Sequence, residues 1–400
     1  MHLLLLSRCP PAPLHLGDRL IIYHLARELA ARGHTLDLIA LNDREEAPED
    51  RALYAPFFRH VTVLPEPART PIAYLQRLAR ERFPRRAGDA WSPELWRAAE
   101  TALAANGCDI VHLFGGVQVY ELAELVKAYP TVITPYESYA LYLDRQIAAA
   151  PFSPALRLQR AIARAYERFM FTPFGRTVVV AEADRDTLLT TNPSLKVAVI
   201  ANGVDLTRFP PPSTPREPAA LLFTGNFEYE PNADAARLLA REILPAVQAR
   251  RPEARLWLVG NAPPPDVQAL ASGSVTVSGN VPDMLPYLQQ AAVFVSPLRL
   301  GAGIKNKVLE ALAAGCPVVG TPLSFDGIAV EDGATALIAP LQGLPQAIGR
   351  LLDDPALAAR LSAGGRALIE SRYTWTQVAE QYEQLYSEAK SEKQKVQGVA

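Results

Sequence analysis

The sequence has few lysines, few cysteines and no long apolar run, and each shortage excludes a class of function. Only seven of its 400 residues are lysine and the formal net charge is −2, so the charge gives no support for a nucleic-acid partner. The three cysteines, Cys9, Cys108 and Cys316, are odd in number and lack metal-ligand spacing, which favours buried thiols in a reducing compartment. We expect no metal site.

The apolar segments are too short for membrane insertion or export. No window approaches the roughly 18 apolar residues of a membrane span. The opening run MHLLLLSRCPP ends at Arg8 and two prolines, well short of a signal-peptide core. With 49% hydrophobic and 20% charged residues, the composition is that of a globular protein. The sequence therefore predicts a cytoplasmic protein, and its length predicts two domains.

The stretch over residues 291–321, AAVFVSPLRLGAGIKNKVLEALAAGCPVVGT, has the pattern of one β-loop-α-β unit. Apolar strands without polar alternation, over 293–297 and 317–321, predict a parallel sheet covered on both faces. A helix over about 305–314 is expected to end at Gly315, since glycine readily takes the left-handed helix stop. Ligands of such sheets bind at the carboxyl ends of the strands, where this glycine loop lies.

The loop and helix of this unit have the composition of an anion site. Gly301 and Gly303 allow close approach of the backbone, and a helix N-terminus attracts negative charge. Three basic residues lie in the same stretch, Arg299, Lys305 and Lys307. Glu310 follows Lys307 by three residues and lies on the same helical face. The alternative is an ordinary turn with a solvated basic helix start.

The rest of the chain predicts two successive doubly wound α/β series. The first loop brings Gly17 near the strand ends but lacks a G-x-G-x-x-G pattern, so we expect no nicotinamide or flavin cofactor. His112 and Glu137 lie near the carboxyl ends of predicted strands, where functional residues concentrate in such folds. The alternative for His112 is a structural role. The expected domains are 1–205 and 219–372, with a proline-rich linker over 206–218 and a terminal helix and tail over 373–400.

Two arginine-rich segments, over about 69–96 and 145–176, interleave basic and apolar residues. Basic amphipathic helices of this kind can lie on an anionic membrane. The alternative is that their basic faces are solvated while the helices pack on the sheet. The sequence leaves both interpretations open.

Several motifs together resemble the retaining glycosyltransferases of family 4, which have the GT-B architecture. They are DIVHLFGG, VIANGVDLTRF, LLFTGNFEYEPNADAARLL, the block from VPDMLPYL through PLRLGAGIKNKVLEALAAGCPVVGTPLSFDGI, and the closing YTW. The PLR-x-G-x-G pattern is similar to a subgroup that assembles exopolysaccharides and other surface glycans. The resemblance implies two Rossmann-like domains facing across a cleft, with a C-terminal helix crossing back.

The resemblance also implies a reaction, namely transfer of a sugar from a nucleotide diphosphate sugar, UDP- or GDP-linked, to a hydroxyl of a glycan or lipid-linked glycan. Neither a metal nor a further cofactor is required. Glu137, Lys307 and Glu310 would form the catalytic centre, with His112 and Glu137 on the acceptor side. The donor would contact Gly17, Gly225, Asn226, Arg299, Gly303, Lys305, Lys307 and Glu310. Two rivals remain, a nucleotide-sugar epimerase or hydrolase of the same fold and a non-catalytic nucleotide-sugar-binding partner.

The sequence departs from the family pattern at three places. Ala302 stands where the first glutamate of the E-x7-E motif is expected, eight residues before Glu310. Asn226 and Asn232 stand where many members carry basic residues, and Glu137 occupies the region of a sugar-contacting histidine. The sequence does not specify the donor sugar, the base, the acceptor or the oligomeric state, nor whether Ala302 alters activity.

Overall fold

The structure is a computed structural model, and it describes residues 1–14, 17–42, 44–68, 82–211 and 215–398. The chain divides into two compact units. One comprises Met1–Ile200 together with Trp375–Ala400, and the other is Ala201–Thr374. Each unit has its own parallel sheet and its own hydrophobic core.

The first unit is built on a seven-stranded parallel sheet with strand order β3-β2-β1-β4-β5-β6-β7. Its central strands are apolar on both faces because helices cover both sides, as the sequence predicts. The order reverses between β1 and β4, the usual position of a ligand crevice in such sheets. The strands are β1 His2–Ser7, β2 Thr35–Asn42, β3 His60–Pro65, β4 Ile110–Phe114, β5 Thr131–Tyr136, β6 Arg176–Val179 and β7 Val197–Val199.

Helices connect these strands and bury their apolar sides on the sheet. Serine residues cap the N-termini of three of them, with each hydroxyl accepting a backbone N–H of the first turn. The helices before the second unit are α1 Gly17–Ala31, α2 Pro48–Tyr54, α3 Pro93–Asn106, α4 Val117–Tyr120, α5 Ala123–Val126, α6 Tyr139–Ala149, α7 Pro154–Phe171 and α8 Glu182–Thr191, with single 3₁₀ turns at Ala55–Phe57 and Ala87–Asp89.

The second unit has a six-stranded parallel sheet with order β10-β9-β8-β11-β12-β13, again reversing at its centre. Its strands are β8 Glu217–Thr224, β9 Arg255–Val259, β10 Val275–Val277, β11 Ala291–Ser296, β12 Val318–Gly320 and β13 Leu337–Ile338. Its helices are α9 Glu230–Leu238, continued by a π-helical turn Leu239–Ile243, then α10 Leu244–Gln248, α11 Pro265–Gln268, α12 Leu285–Gln290, α13 Asn306–Ala313, α14 Leu344–Asp353 and α15 Pro355–Arg372, with 3₁₀ turns at Leu206–Arg208, Pro322–Phe325 and Leu341–Gly343.

The last helix, α16 Trp375–Gly398, returns to the first unit, which confirms the expected crossover. Its Tyr382 and Tyr386 are fully buried in the first unit's core. Ion pairs fix the exposed side of the helix: Glu383 accepts from Arg32, and Glu392 accepts from the guanidinium of Arg176. The first unit therefore needs the end of the chain to complete its core.

Three sequence expectations concern segments of special composition. The proline-rich segment 206–218 lies in the second unit, where it begins with the 3₁₀ turn and ends in β8, while residues 212–214 lie outside the described residues. Residues 69–81, which include Arg77 and Arg80 of the first arginine-rich segment, also lie outside them. Within the described part of the chain, no helix is both long and apolar enough to cross a membrane.

Candidate active site

The candidate site lies at the carboxyl ends of β8 and β11, where the strand order of the second sheet reverses. Gly225 directly follows β8, and residues 297–305 connect β11 to α13. Because both strands end at the same edge of a parallel sheet, their loops lie side by side. The β-loop-α-β segment over 291–321, predicted from the sequence, therefore supplies one half of the site. The loop after β8 supplies the other half.

The loop before α13 depends on its glycines. Gly301 has φ +113° and Gly303 has φ +64°, both in the left-handed region that favours glycine. Lys305, only 8% exposed, donates from Nζ to the carbonyl oxygens of Ala302, at 3.0 Å, and of Gly303. The ammonium of Lys305 therefore stabilises the loop itself.

Lys307 lies in the first turn of α13 and points toward the loop after β8. Its Nζ donates to Oδ1 of Asn232 on α9 and lies 4.5 Å from the centroid of the Phe223 ring. Nδ2 of Asn232 donates to the carbonyl oxygen of Asn226 at 2.7 Å. One ammonium, one amide and the loop after β8 thus form a single hydrogen-bonded cluster.

A side chain at Gly225 would displace the side chains of this cluster. A Cβ added there would lie 2.9 Å from Nδ2 of Asn232 and 3.0 Å from Nζ of Lys307. Gly260, after β9, is tighter still: its φ is +149°, and its Cβ would lie 1.9 Å from the carbonyl oxygen of Gly225. The loops after β8 and β9 are therefore in direct backbone contact beside the Lys307 cluster.

Glu310 follows Lys307 by three residues and is partly buried on the same side of α13. Burial raises the pKa of the Glu310 carboxyl to about 7, although the positive charges of Arg208 and Lys307 oppose this shift. Burial also lowers the pKa of the Lys307 ammonium to about 7, and repulsion from Lys305 adds to the effect. Both groups can therefore gain or lose a proton near neutral pH. A charged ligand bound beside them would shift these pKa values and so change their protonation.

Arg299 forms an ion pair with Asp234, which the sequence did not indicate. Its guanidinium donates two hydrogen bonds to the Asp234 carboxylate on α9, with N–O distances of 2.8 and 2.7 Å. This bidentate pair fastens the loop after β11 to the helix after β8. Ala302, at the position of the missing glutamate, is 7% exposed. Of the three cations expected at the phosphate, only Lys307 points into the cluster.

In the first unit, Gly17 is the first residue of α1 and Glu137 immediately follows β5. Tyr136, the last residue of β5, has φ +71°, a left-handed conformation that is unusual for a tyrosine. Glu137 is partly buried at the carboxyl end of its strand, as expected. The structure places Gly17 and Glu137 in the unit that does not contain Lys307 and Glu310.

The structure places His112 in the core rather than near the end of its strand, in agreement with the structural role that was the alternative for this histidine. It lies in the middle of β4 and is fully buried. Its Nδ1 bonds to the hydroxyl of Tyr386 at 2.7 Å, and its Nε2 bonds to Oγ1 of Thr134 at 2.8 Å. Burial holds the pKa of the imidazole well below its usual value. Both ring nitrogens are satisfied within the protein, so a substrate finds no free atom there.

Sequence reasoning missed an ion pair at the switch point of the first sheet. Arg8, directly after β1, donates to Asp18 of α1 at 2.9 Å, and its guanidinium lies 5.9 Å from the centroid of the Tyr136 ring. Burial by itself would raise the pKa of the Asp18 carboxyl, but the charge and hydrogen bond of the Arg8 guanidinium outweigh this effect. The pKa of Asp18 therefore lies below its usual value. The position of Arg8 directly after the first strand was the signal available in the sequence.

Family models and solved structures agree with this geometry. Residues 20–208 match the family described as Glycosyltransferase Family 4, and residues 218–354 match the one described as Glycosyl transferases group 1. Sucrose-phosphate synthase from Thermosynechococcus elongatus superposes with a TM-score of 0.72 at 20% identity, over 97% of this chain and 99% of that one. HepE from Anabaena, solved with UDP and glucose, superposes with a TM-score of 0.63 at 14% identity, over 96% and 99%. The fold is therefore GT-B, and the chain carries a family 4 and a group 1 glycosyltransferase domain.

Two relatives are similar in sequence over part of the chain. Glycogen synthase from Mycobacterium tuberculosis is 31% identical over 208 residues, which are 49% of this chain and 49% of that protein. Phosphatidyl-myo-inositol mannosyltransferase from the same organism is 28% identical over 214 residues, 50% of this chain and 56% of that protein. The chain spans about half the length of the curated relatives it matches.

Proposed function

We propose that this protein is a retaining glycosyltransferase that moves a sugar from a nucleotide diphosphate sugar to a hydroxyl acceptor. The observation that carries the proposal is the placement of Lys307 and Glu310 on one side of α13, behind the glycine loop at the switch point of the second sheet. A cation near the N-terminus of a helix suits a diphosphate, and a carboxylate one turn later suits the hydroxyls of a ribose.

Lys307 would act on the leaving group. Negative charge grows on the diphosphate as the bond to the sugar breaks, so an ammonium held by Asn232 at fixed geometry stabilises the transition state more than the ground state. Burial has lowered the pKa of Lys307 to about 7, and a bound diphosphate would restore its full charge. Arg299 and Lys305 would contribute by holding the loop in shape, through Asp234 and through the loop carbonyls.

Retention of the anomeric configuration follows in this proposal from the acceptor and the leaving group sharing one face of the sugar. The diphosphate oxygen would take the proton of the acceptor hydroxyl, so neither a protein nucleophile nor a metal ion is needed. Glu137, at the carboxyl end of β5, is proposed to contact the sugar or the acceptor.

The donor is proposed to be UDP- or GDP-linked and the acceptor a glycan or lipid-linked glycan, in the assembly of a surface polysaccharide or glycoconjugate. HepE supports UDP because its structure contains that nucleotide. The mannosyltransferase relative supports a lipid-linked acceptor because its name specifies phosphatidyl-myo-inositol. A lipid-linked acceptor would require peripheral contact with a membrane.

A thermal-shift panel tests the donor site. UDP, GDP, ADP, dTDP and CDP would be added to the wild type, to Glu310→Ala and to the control Glu242→Ala, which removes an exposed carboxylate of the same unit. A ligand that binds only the folded state raises the melting temperature. We expect one diphosphate to stabilise the wild type and the control but not Glu310→Ala, with or without magnesium. No shift with any diphosphate would refute the proposed site.

An activity assay then separates transfer from the rival reactions. The nucleotide sugar that matches the stabilising diphosphate is incubated with and without candidate hydroxyl acceptors, and release of the diphosphate is measured. Release that depends on an acceptor supports the transferase. Equal release without acceptor would indicate a hydrolase, and interconversion of the donor alone would indicate an epimerase.

A further inference from the structure

The helix α7 exposes an apolar side to solvent. Its 18 residues span roughly 27 Å at 1.5 Å per residue. Ala163, Glu167 and Met170 are buried on the side toward the first unit. Over residues 154–165, the opposite side consists of small or apolar residues only, and two of them are large and exposed, Leu158 at 64% and Ile162 at 40%. Farther along the same side, Phe169 stacks on Phe83. We call this side, formed by Pro154, Ala155, Leu158, Ala161, Ile162 and Ala165, the outward face.

A second exposed apolar group lies at the tip of the same element. Phe152, in the turn between α6 and α7, is 94% exposed. Arg157 donates to the carbonyl oxygen of Pro151 at 2.8 Å and so holds this turn in place. The helices α6 and α7 share a small core of their own around Ala140, Leu143 and Ala163. The two helices thus form a hairpin that presents an aromatic tip and the outward face together.

The charges beside the outward face are positive. Arg157 and Arg168 are exposed, one residue before Leu158 and six residues after Ile162, and lie along one edge of the face. The other two arginines of α7, Arg160 and Arg164, are paired with Asp144 of α6 at 2.8 and 3.0 Å. No ion pair of Arg157 or Arg168 is found among the described residues.

The single acidic residue of α7 does not reduce this charge at the surface. Glu167 is buried and accepts from Oγ of Ser138 at 3.0 Å and from the backbone N–H of Ala140 at 3.1 Å. It therefore serves the junction between the two helices. The outward face has an apolar centre and a cationic edge, with no carboxylate of its own helix beside it.

We infer that this hairpin docks the protein on an anionic lipid bilayer. Phe152, Leu158 and Ile162 would enter the boundary between headgroups and acyl chains, while Arg157 and Arg168 would contact lipid phosphates. Charge decides between a bilayer and a second copy of the chain. Two copies packed through the outward face would bring their arginine edges together without counter-charges, whereas an anionic bilayer supplies the counter-charge. The inference names the membrane contact of the proposed function, but its test involves no sugar transfer.

Co-sedimentation of the full chain with vesicles tests the docking. One set of vesicles contains phosphatidylcholine alone, and the other also contains phosphatidylglycerol. We expect the wild type to bind the anionic vesicles and binding to fall with added salt. The double variant Leu158→Ser with Ile162→Ser should bind about tenfold more weakly or worse, given the transfer free energy of two large apolar side chains. The control Leu53→Ser, which removes an exposed leucine of α2, should bind like the wild type.

A charge variant tests the cationic edge; it also removes the hydrogen bond from Arg157 to the Pro151 carbonyl oxygen. Arg157→Gln with Arg168→Gln should weaken binding to anionic vesicles by about thirtyfold, since each of the two basic residues near such a surface contributes about 1 kcal/mol. The control Arg97→Gln, an exposed arginine on α3, should not. The thermal response to nucleoside diphosphate should be unchanged in every variant, which shows that each is folded.

Two results would overturn the inference. One is a wild type that does not sediment with anionic vesicles at low salt. The other is a serine double variant that sediments as well as the wild type. Sedimentation equilibrium tests the alternative occupant, a second copy of the chain. A wild-type dimer that becomes a monomer in the serine variant would assign the outward face to that second copy. A missing nucleotide response in the wild type would count against the proposed donor site alone.

Discussion

Replacing Lys307 with methionine should weaken diphosphate binding and reduce its dependence on pH. Methionine retains most of the length of the side chain and removes the charge. A hydrogen bond to a charged group contributes about 1.5–3 kcal/mol, so binding should fall by roughly tenfold to a hundredfold. Stability should change little because two effects oppose each other. The variant removes a cation that burial disfavours, but it also leaves the Oδ1 of Asn232 without its donor.

The pH dependence gives the sharper test because its sign is fixed by the structure. The lysine is charged below a pKa of about 7, and the diphosphate binds the charged form better. As pH rises above that value, the charged fraction falls and wild-type affinity should decrease by up to about tenfold per pH unit. The wild type should approach the methionine variant near about pH 9, while the variant itself should keep only the weaker pH dependence that comes from Glu310, whose pKa is also about 7. Below about pH 7 the ligand's terminal phosphate also titrates, so only the alkaline side is diagnostic.

Isothermal titration of the stabilising diphosphate between about pH 7 and pH 9 measures both effects. Lys127→Met, at an exposed lysine of the first unit, serves as the control and should follow the wild type. Equal affinity of Lys307→Met and wild type at about pH 7 would contradict the assignment of Lys307 to the phosphate. A variant whose affinity falls with rising pH as steeply as that of the wild type would show that a group other than Lys307 determines the pH dependence.

Two further variants test the framework around the site. Gly260→Ala should lower the free energy of unfolding by about 2 kcal/mol or more and weaken diphosphate binding, because its Cβ would collide with the Gly225 carbonyl; a variant that melts like the wild type would contradict this. Tyr386→Phe should cost about 1–3 kcal/mol, measured by denaturant unfolding, since it leaves a buried nitrogen of His112 unpaired. It should leave acceptor kinetics unchanged; a raised KM at unaltered stability would instead point to a substrate role for His112.

The fold could be predicted because buried parallel strands have a clear sequence pattern. The strands β1 and β4, with the sequences HLLLLS and IVHLF, lack the alternation of half-exposed strands, and the loops after β8 and β11 contain the glycines that a ligand crevice needs. The helix predicted over 305–314 is found at Asn306–Ala313, and Gly315 follows it with φ +66°. These features are local, so spacing and residue type were enough.

Side-chain partners that are distant in sequence were not predictable in the same way. His112 is buried beside a tyrosine 274 residues later in the chain, and Arg299 is paired with an aspartate 65 residues earlier. Of the two lysines after the glycine loop, Lys305 turns back to the loop carbonyls and Lys307 points outward to Asn232. Lys305 is the non-helical residue before α13, whereas Lys307 lies inside its first turn, so the two side chains leave the backbone in different directions.

The return of α16 to the first unit sets an order for folding during synthesis. The first 200 residues leave the ribosome well before Trp375, and at about 5–20 residues per second the wait is on the order of ten to thirty seconds. Throughout that time His112 and Thr134 lack the tyrosines that later cover them. The second unit is contiguous in sequence and can fold first, although it is made later. The core of the nascent first unit therefore stays incomplete during this interval, which makes this unit the part of the chain that is more exposed to aggregation.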